Sequence, residues 1–359
     1  MARIDLDLAH AYRANPTQDS DYALLPLRMS FRDGGAYALL GPSGCGKTTM
    51  LNIISGLLAP SKGSVKFNGR DVTLETPQQR NIAQVFQFPV IYDTMTVAQN
   101  LAFPLRNRNV PAEQIRRRVG EIAEMLDMSG QLNQRAAGLA ADAKQKISLG
   151  RGLVRSDVSA VLFDEPLTVI DPHLKWQLRR KLKQIHRELK LTLIYVTHDQ
   201  VEALTFAEEV VVMTRGKAVQ AGTAEALFER PAHTFVGHFI GSPGMNFLPA
   251  QLQDGQVQVA GAPLGTVLAL QAVGSGALQL GIRPEYTRLA PAHGPGALPA
   301  TVTQVQDVGT HQMLTARVNG ELVKARLPVD TEPLAPGDAV WLRVLDAHTC
   351  FYRDELLVN

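Results

Sequence analysis

Between an apolar run, Ala36-Tyr37-Ala38-Leu39-Leu40, and a segment with Met50, Leu51, Ile54 and Leu57 on a helical stripe, the chain reads Gly41-Pro42-Ser43-Gly44-Cys45-Gly46-Lys47-Thr48. Glycine, four residues and then Gly-Lys-Thr, set between a buried strand and a helix, describe a phosphate-cradling loop. Glycines let backbone N–H groups close around phosphates, and the helix N-terminus that follows adds a favourable dipole. Lys47 is placed to reach the β- and γ-phosphates, the Thr48 hydroxyl to ligate Mg²⁺, and Thr49 to continue the same site. A Gly-rich turn with a chance Gly-Lys-Thr is the bland alternative, and the flanking strand and helix speak against it.

A second run, Val161-Leu162-Phe163-Asp164-Glu165, puts two carboxylates at the end of an apolar strand. Ligands of open α/β sheets bind at that edge. Asp164 is assigned to the Mg²⁺ shell and Glu165 to the general base that polarises an attacking water. His198 follows the strand-like Leu191–Val196 as a donor to the γ-phosphate, and Gln87 after Val85-Phe86 would sense both metal and water. Taken singly, these two residues read equally well as turn and loop positions. Asp171 before Pro172 is a candidate nucleotide contact and also fits a helix N-cap with proline at the first helical position.

Elsewhere the texture is that of a folded, soluble chain. Apolar residues make up 45% and charged residues 19%, which excludes disorder over most of the 359 residues. Lys plus Arg number 36 against 34 Asp plus Glu, so nothing suggests a nucleic-acid binder. Cys45 and Cys350 fit neither a zinc spacing nor a disulfide framework. No apolar stretch is long enough for a membrane span, and Met1–Asp5 lacks a signal-peptide run, so a cytoplasmic location is expected. Up to residue 241, strand-like runs alternate with helical ones, including Ile115, Val119, Ile122 and Leu126, and Leu174, Leu178, Leu182, Ile185 and Leu189. Lys175, Arg179, Arg180 and Lys183 on the second helix read as a solvated face. From residue 242, Gly and Pro become frequent and short alternations such as Leu314-Ala316-Val318 and Val340-Leu342-Val344 predict a small β-rich domain.

The phosphate loop, Gln87, Asp164-Glu165-Pro166, Asp171 and Thr197-His198-Asp199 stand in the order and spacing of ABC transporter ATPases, and the chain resembles the carbohydrate-importer branch, close to the maltose and glycerol-phosphate importer ATPases. Gly281-Ile282-Arg283-Pro284-Glu285 and Gly337-Asp338-Ala339-Val340 resemble that branch's C-terminal tail. The resemblance implies an α/β P-loop ATPase domain with a helical subdomain over residues 1–241 and an OB-like, TOBE/MOP-like regulatory domain over 242–359. It implies ATP and Mg²⁺ as ligands, with Tyr12 stacking on adenine and Tyr22 as its competitor. It further implies two membrane permease subunits as partners, a periplasmic solute-binding protein acting indirectly, and a place on the inner face of the cell membrane. Val90, Ile91, Tyr92 and Met95 would receive the permease.

One motif departs from the family. Where the signature Leu-Ser-Gly-Gly-Gln belongs, the chain has Leu139-Ala140-Ala141-Asp142-Ala143. In such ATPases each signature clamps the γ-phosphate held by its partner. Ala140 supplies no hydroxyl, and a carboxylate about 5 Å from a phosphate charge, at an effective dielectric of about 20, is repelled by on the order of 3 kcal/mol. The departure leads to the expectation of a second, non-identical ATPase subunit, with a homodimer as the alternative. A finer resemblance, in Ile82–Pro89 and Ala141–Lys146, is to the paired ATPases of bacterial glycerol importers, implying uptake of glycerol, a polyol or a sugar. The rivals are a nucleotide-binding pseudo-ATPase and a non-transport ABC ATPase.

Overall fold

Every residue of Ala36–Leu40 is buried, because this strand lies inside a sheet covered on both faces. The computed structural model describes residues 2–358 apart from 169, 254, 260 and 271. The chain forms two compact units, residues 1–224 and 225–359.

In the first unit the strands are β1 (Ile4–Ala11), β2 (Tyr22–Phe31), β3 (Ala36–Leu40), β4 (Lys62–Phe67), β5 (Arg70–Asp71), β6 (Ile82–Val85), β7 (Ala160–Asp164), β8 (Leu193–Thr197), β9 (Glu209–Thr214) and β10 (Lys217–Gly222). The helices are α1 (Lys47–Ser55), α2 (Val97–Arg106), α3 (Ala112–Met125), α4 (Ala141–Leu153), α5 (Pro172–Leu189) and α6 (Gln200–Phe206). A central sheet runs β10-β9-β3-β8-β7-β6. Its five strands from β9 to β6 are parallel, and β10 closes the edge antiparallel. A second, antiparallel sheet runs β2-β1-β4-β5.

Parallel order brings the C-terminal ends of β3, β6, β7 and β8 to one edge, with Leu40 opposite Thr197, Asp164 opposite Val196 and Val85 opposite Phe163. One core joins β3, α1 and the antiparallel sheet through Leu39, Met50, Ile54 and Phe67. Another joins α2 to α5 through Leu101, Ile122, Leu149 and Leu182. The predicted stripe of α3 is buried at Ile115, Val119 and Ile122. Along α5, Leu178, Leu182 and Ile185 are buried. Asp171 caps α5 by accepting from the His173 amide at 2.9 Å, with Pro172 at the first position.

In the second unit, α7 (Ala224–Glu229) and α8 (Thr234–Phe239) precede two antiparallel sheets. One contains Asn246–Gln253, Gln256–Val259, Ala262–Thr266, Gly276–Ile282, Cys350–Arg353 and Leu356–Leu357; the other contains Arg288–Leu289, Ala297–Asp307, Gln312–Val318, Glu321–Leu327 and Ala339–Arg343. Leu248, Leu280, Leu314, Ala316 and Leu342 meet in a shared core. The compact division falls at 224/225, ahead of the boundary expected at 241/242. Within the second unit the Arg283 guanidinium is fully buried, donates to the carbonyls of Leu227, Phe228 and Ile240, and lies 4.0 Å over the Phe228 ring. It thereby ties the ends of α7 and α8 to the β-rich unit.

Candidate active site

The loop from Gly41 to Gly46 joins β3 to α1, and its shape requires its glycines. A Cβ at Gly41 would lie 2.2 Å from the Met213 carbonyl oxygen, and one at Gly46, where φ is +105°, 2.5 Å from that of Ala23. Gly44 has φ +77° and open space beside it. Pro42, Ser43, Gly44 and Thr48 face solvent, whereas the Cys45 thiol is buried in the core beneath. Burial pushes that thiol up, so Cys45 contributes backbone rather than a nucleophile.

Lys47 is buried, yet among the described residues no carboxylate stands within ion-pair distance of it. Its ammonium donates to the carbonyls of Gly41 at 2.8 Å and Pro42 at 2.9 Å. It also lies 3.9 Å from the Cys45 sulfur, and a buried cation whose hydrogen-bond partners are all neutral, under an open glycine loop, fits a phosphate. Thr48 Oγ1 donates to Asp164 Oδ1 at 3.1 Å, which joins the start of α1 to the end of β7. A hydroxyl and a carboxylate in contact are the hard oxygen donors that Mg²⁺ takes alongside phosphates and waters. Burial pushes the Asp164 carboxyl above its ordinary value, and the nearby Glu165 adds to this; the Thr48 hydroxyl and the Lys47 charge pull the other way.

Glu165 follows with φ +45°, in the left-handed region. Its amide donates to Val196 O at 3.0 Å, and Thr168 Oγ1 donates to its carbonyl at 3.1 Å and to Oε2 at 3.3 Å. A non-glycine residue held in this region by its surroundings is a common mark of a functional site. Its Oε2 lies 3.1 Å from His198 Nδ1. Thr197 and Tyr195 anchor the strand before His198 by donating to Glu202 Oε2, each at 2.9 Å, and Asp199 caps α6 at the Glu202 amide. Gln87, half-buried, lies just past β6 at the same sheet edge, and among the described residues it makes no hydrogen bond to Thr48 or Asp164. Asp171 is exposed and serves as the α5 cap.

Tyr12 is 69% exposed, and its hydroxyl is 3.1 Å from Thr49 Oγ1, next to the phosphate loop. His10 meets its ring edge-on at 4.7 Å. Tyr12 and Tyr22 line the same recess with Pro16 and Lys62. The segment past Gln87 divides: Phe88, Val90 and Tyr92 are exposed, while Ile91 and Met95 are half-buried, Ile91 packing against the core. Two residues escaped sequence reasoning. Glu202 is the buried anchor of the His198 loop. Gln145 in α4, fully buried, donates to Pro166 O directly after Glu165 and so links the signature helix to the carboxylate turn. Its only signal was its place in the resumed family pattern.

Comparison with known proteins shows the family and the fold. The profile of the ABC transporter family matches residues 24–168, the MalK OB fold domain residues 241–287 and the TOBE domain residues 280–351. The sn-glycerol-3-phosphate import ATP-binding protein of Vibrio vulnificus (strain CMCP6) is 38% identical over 335 residues, covering 92% of this chain and 90% of that protein. The chain belongs to the ABC transporter ATP-binding proteins. The protein of the same name from Paracoccus denitrificans (strain Pd 1222) is 38% identical over 98% of this chain and 97% of its own length. That from Escherichia coli (strain K12) is 37% identical over 89% and 90%. Among solved structures, a subunit of the cbiONQ ABC transporter complex of Clostridium perfringens aligns with a TM-score of 0.57, 24% identity, 64% of this chain and 90% of that one, which shows the fold. This ABC ATPase therefore binds ATP and couples its hydrolysis to transmembrane transport, and its fold is the P-loop domain followed by OB and TOBE domains. Among the described residues no helix is long and apolar enough to cross a membrane. The expected second, non-identical ATPase finds no support in these relatives.

Proposed function

We propose that this ABC ATPase drives uptake of sn-glycerol-3-phosphate or a closely related small polar solute. The solute follows the printed name of relatives that cover nearly the whole chain. The observation that carries the hydrolytic role is the cluster at one sheet edge: Lys47 in the loop, Thr48 on Asp164, and Glu165 on His198.

ATP is seated by the loop amides of residues 41–47 and the Lys47 ammonium, with Tyr12 stacking on the base. Thr48, Asp164 and Gln87 would hold Mg²⁺, which would supply neutralisation of the phosphate charge. Glu165 orients and deprotonates the attacking water, and His198 donates toward the γ-phosphate. Catalysis is mainly positioning and electrostatic stabilisation. Asp171 and the signature turn at 139–143 act across the contact with a second ATPase copy. Residues 1–241 make up the ATPase domain, and the β-rich remainder regulates it.

The chain works on the inner face of the membrane with two permease subunits, received at Val90, Tyr92 and Met95, and takes cargo indirectly from a periplasmic binding protein. The test is uptake of labelled sn-glycerol-3-phosphate by the reconstituted complex with its binding protein. Uptake should need ATP and vanish in Glu165→Gln. ATP hydrolysis stimulated by glycerol or maltose but not by sn-glycerol-3-phosphate would refute the solute and leave the ATPase standing. Native mass spectrometry of that complex decides the pairing: two copies of this chain mean that the Ala140–Asp142 signature works as it stands.

A further inference from the structure

A long groove, of about 620 Å³, runs from the first turn of α4 along α5. Its floor is Leu126, Leu174 and Leu178, and its walls carry five basic side chains against two carboxylates. One of those carboxylates, Asp127, is already paired with Lys181 at 2.9 Å, and Lys183 is committed to the Thr205 carbonyl at 2.7 Å. Among the described residues, Lys146, Arg180 and Arg187 have no carboxylate within ion-pair distance. Arg180 lies 4.7 Å over the ring of Trp176, which is itself 52% exposed in the groove. The sequence reading of this α5 face as solvated fits Arg180 and Arg187, which are exposed, whereas Lys175 is half-buried and pairs with the buried Glu202.

We propose that this groove is a docking surface for an acidic, amphipathic segment of a partner protein. Charge and spacing select that occupant. Arg180 and Arg187 stand two helical turns apart, about 10 Å along the axis, too far for one phosphate to bridge. The span from Leu174 to Arg187 is about 20 Å, which about six extended residues cover. Apolar side chains of such a segment meet the leucine floor and Trp176, and its carboxylates meet Lys146, Arg180 and Arg187. Trp and Arg together are the residue types that dominate recognition surfaces. Asp142, from the signature turn, lines the same groove, so a bound acidic segment would lie beside the start of α4, the turn proposed to act across the contact with a second ATPase copy. Occupancy would then modulate hydrolysis. The inference goes beyond the proposed solute and does not depend on it.

The chain has two tryptophans, so Trp341→Phe leaves Trp176 as the sole reporter in the full-length protein. The probe is a synthetic peptide of alternating glutamate and leucine, with an alternating glutamine and leucine peptide as control. The acidic peptide should shift Trp176 emission, weaken with added salt, and lose at least about tenfold in affinity in Arg180→Glu/Arg187→Glu, while ATP affinity stays unchanged. Should the double variant misfold, Arg187→Gln carries the same comparison. Absence of binding, equal binding to the charge variants, or equal binding of the glutamine peptide overturns the proposal. So does an equal response to inorganic phosphate, which would mean a small-anion site, or equal competition by single-stranded DNA, which would mean unspecific attraction of polyanions.

Discussion

Glu165 Oε2 and His198 Nδ1 stand 3.1 Å apart, although the two residues close different strands. The contact exists because β7 and β8 are parallel neighbours that end together, and because Glu165 turns back at φ +45°. The carboxylate is thus oriented on one side by Thr168 and on the other by the imidazole. Glu165→Gln keeps the shape and removes the base. In the assembled complex it should lower turnover by about 10²–10⁴-fold with ATP affinity retained. His198→Ala should cost about 10²-fold, as expected for loss of one donor to a developing phosphate charge. Phosphate release and nucleotide binding, measured on the same preparation, separate the two effects. Equal loss of binding and turnover would place both residues outside the chemistry.

The Asp164 carboxyl gives a pH signature without any turnover. Burial holds it above its ordinary value of 3.8, so between that value and its raised one the folded chain binds more protons than the unfolded chain. Its ionisation therefore subtracts stability as pH rises through that window, and the deficit is constant above it. Asp164→Asn removes the charge and keeps an acceptor for Thr48. Free of nucleotide, the variant should melt above the parent at pH 7, and the two curves should converge as pH falls toward 3.8. With Mg²⁺ and ATP present the order should reverse, because the parent gains more from the ligand. Thermal melts across pH read both.

Tyr12 offers two separable groups, an exposed ring for the proposed stacking on the base and a hydroxyl on Thr49. Stacking is worth about 1–3 kcal/mol per base, so Tyr12→Ala should weaken ATP binding by roughly 5–150-fold. Tyr12→Phe keeps the ring and loses one hydrogen bond, worth about 0.5–1.5 kcal/mol. Titration with ATP and with tripolyphosphate distinguishes the roles, since only ATP should sense the ring. If Tyr22→Ala rather than Tyr12→Ala carries the loss, the two tyrosines of the recess exchange roles.

What could be read in the chain followed the range of the interactions. The strand Ala36–Leu40, the loop at 41–48 and the Asp171 cap depend on neighbours in sequence, and the structure shows the strand, the glycine geometry and the cap bond. The alternations at Leu314 and Leu342 marked half-buried strands for the same reason. Contacts that depend on packing were not visible. Ile91 sits among exposed apolar neighbours and turns inward. Gln145 reaches Pro166 only because α4 packs beside the turn after β7. A single buried arginine, Arg283, reaches the carbonyls of Phe228 and Ile240 at two helix ends that carry no strand pattern. Trp176 and Arg180 are i, i+4 neighbours on α5 and could be paired from the sequence, but Leu126 and Lys146 join them in one groove only through packing.

The signature turn is where sequence and helix chemistry pull apart. Ala140 is the N-cap of α4 and offers no side-chain oxygen to the orphan amides of the first turn. Asp142 lies within that turn, where a carboxylate stabilises the helix by about 0.3–1 kcal/mol through the dipole. The same carboxylate opposes a phosphate brought to the helix start by on the order of 3 kcal/mol at about 5 Å. Ala140→Ser restores a cap worth about 1 kcal/mol, and Asp142→Gly removes the repulsion together with the dipole gain. Ala141→Gly and Asp142→Gly also put two glycines into the first turn, at roughly 0.5–1 kcal/mol each, so the triple variant should melt below the parent even with the restored cap. The triple variant should raise turnover of the assembled complex, by up to roughly a hundredfold if Asp142 faces the γ-phosphate. Measured on a complex with two copies of this chain, an increase means that both composite sites were held back by the carboxylate. Unchanged turnover of the folded complex means that Asp142 stays on the groove wall with Lys146, away from the phosphate, and that the amides of the α4 start suffice.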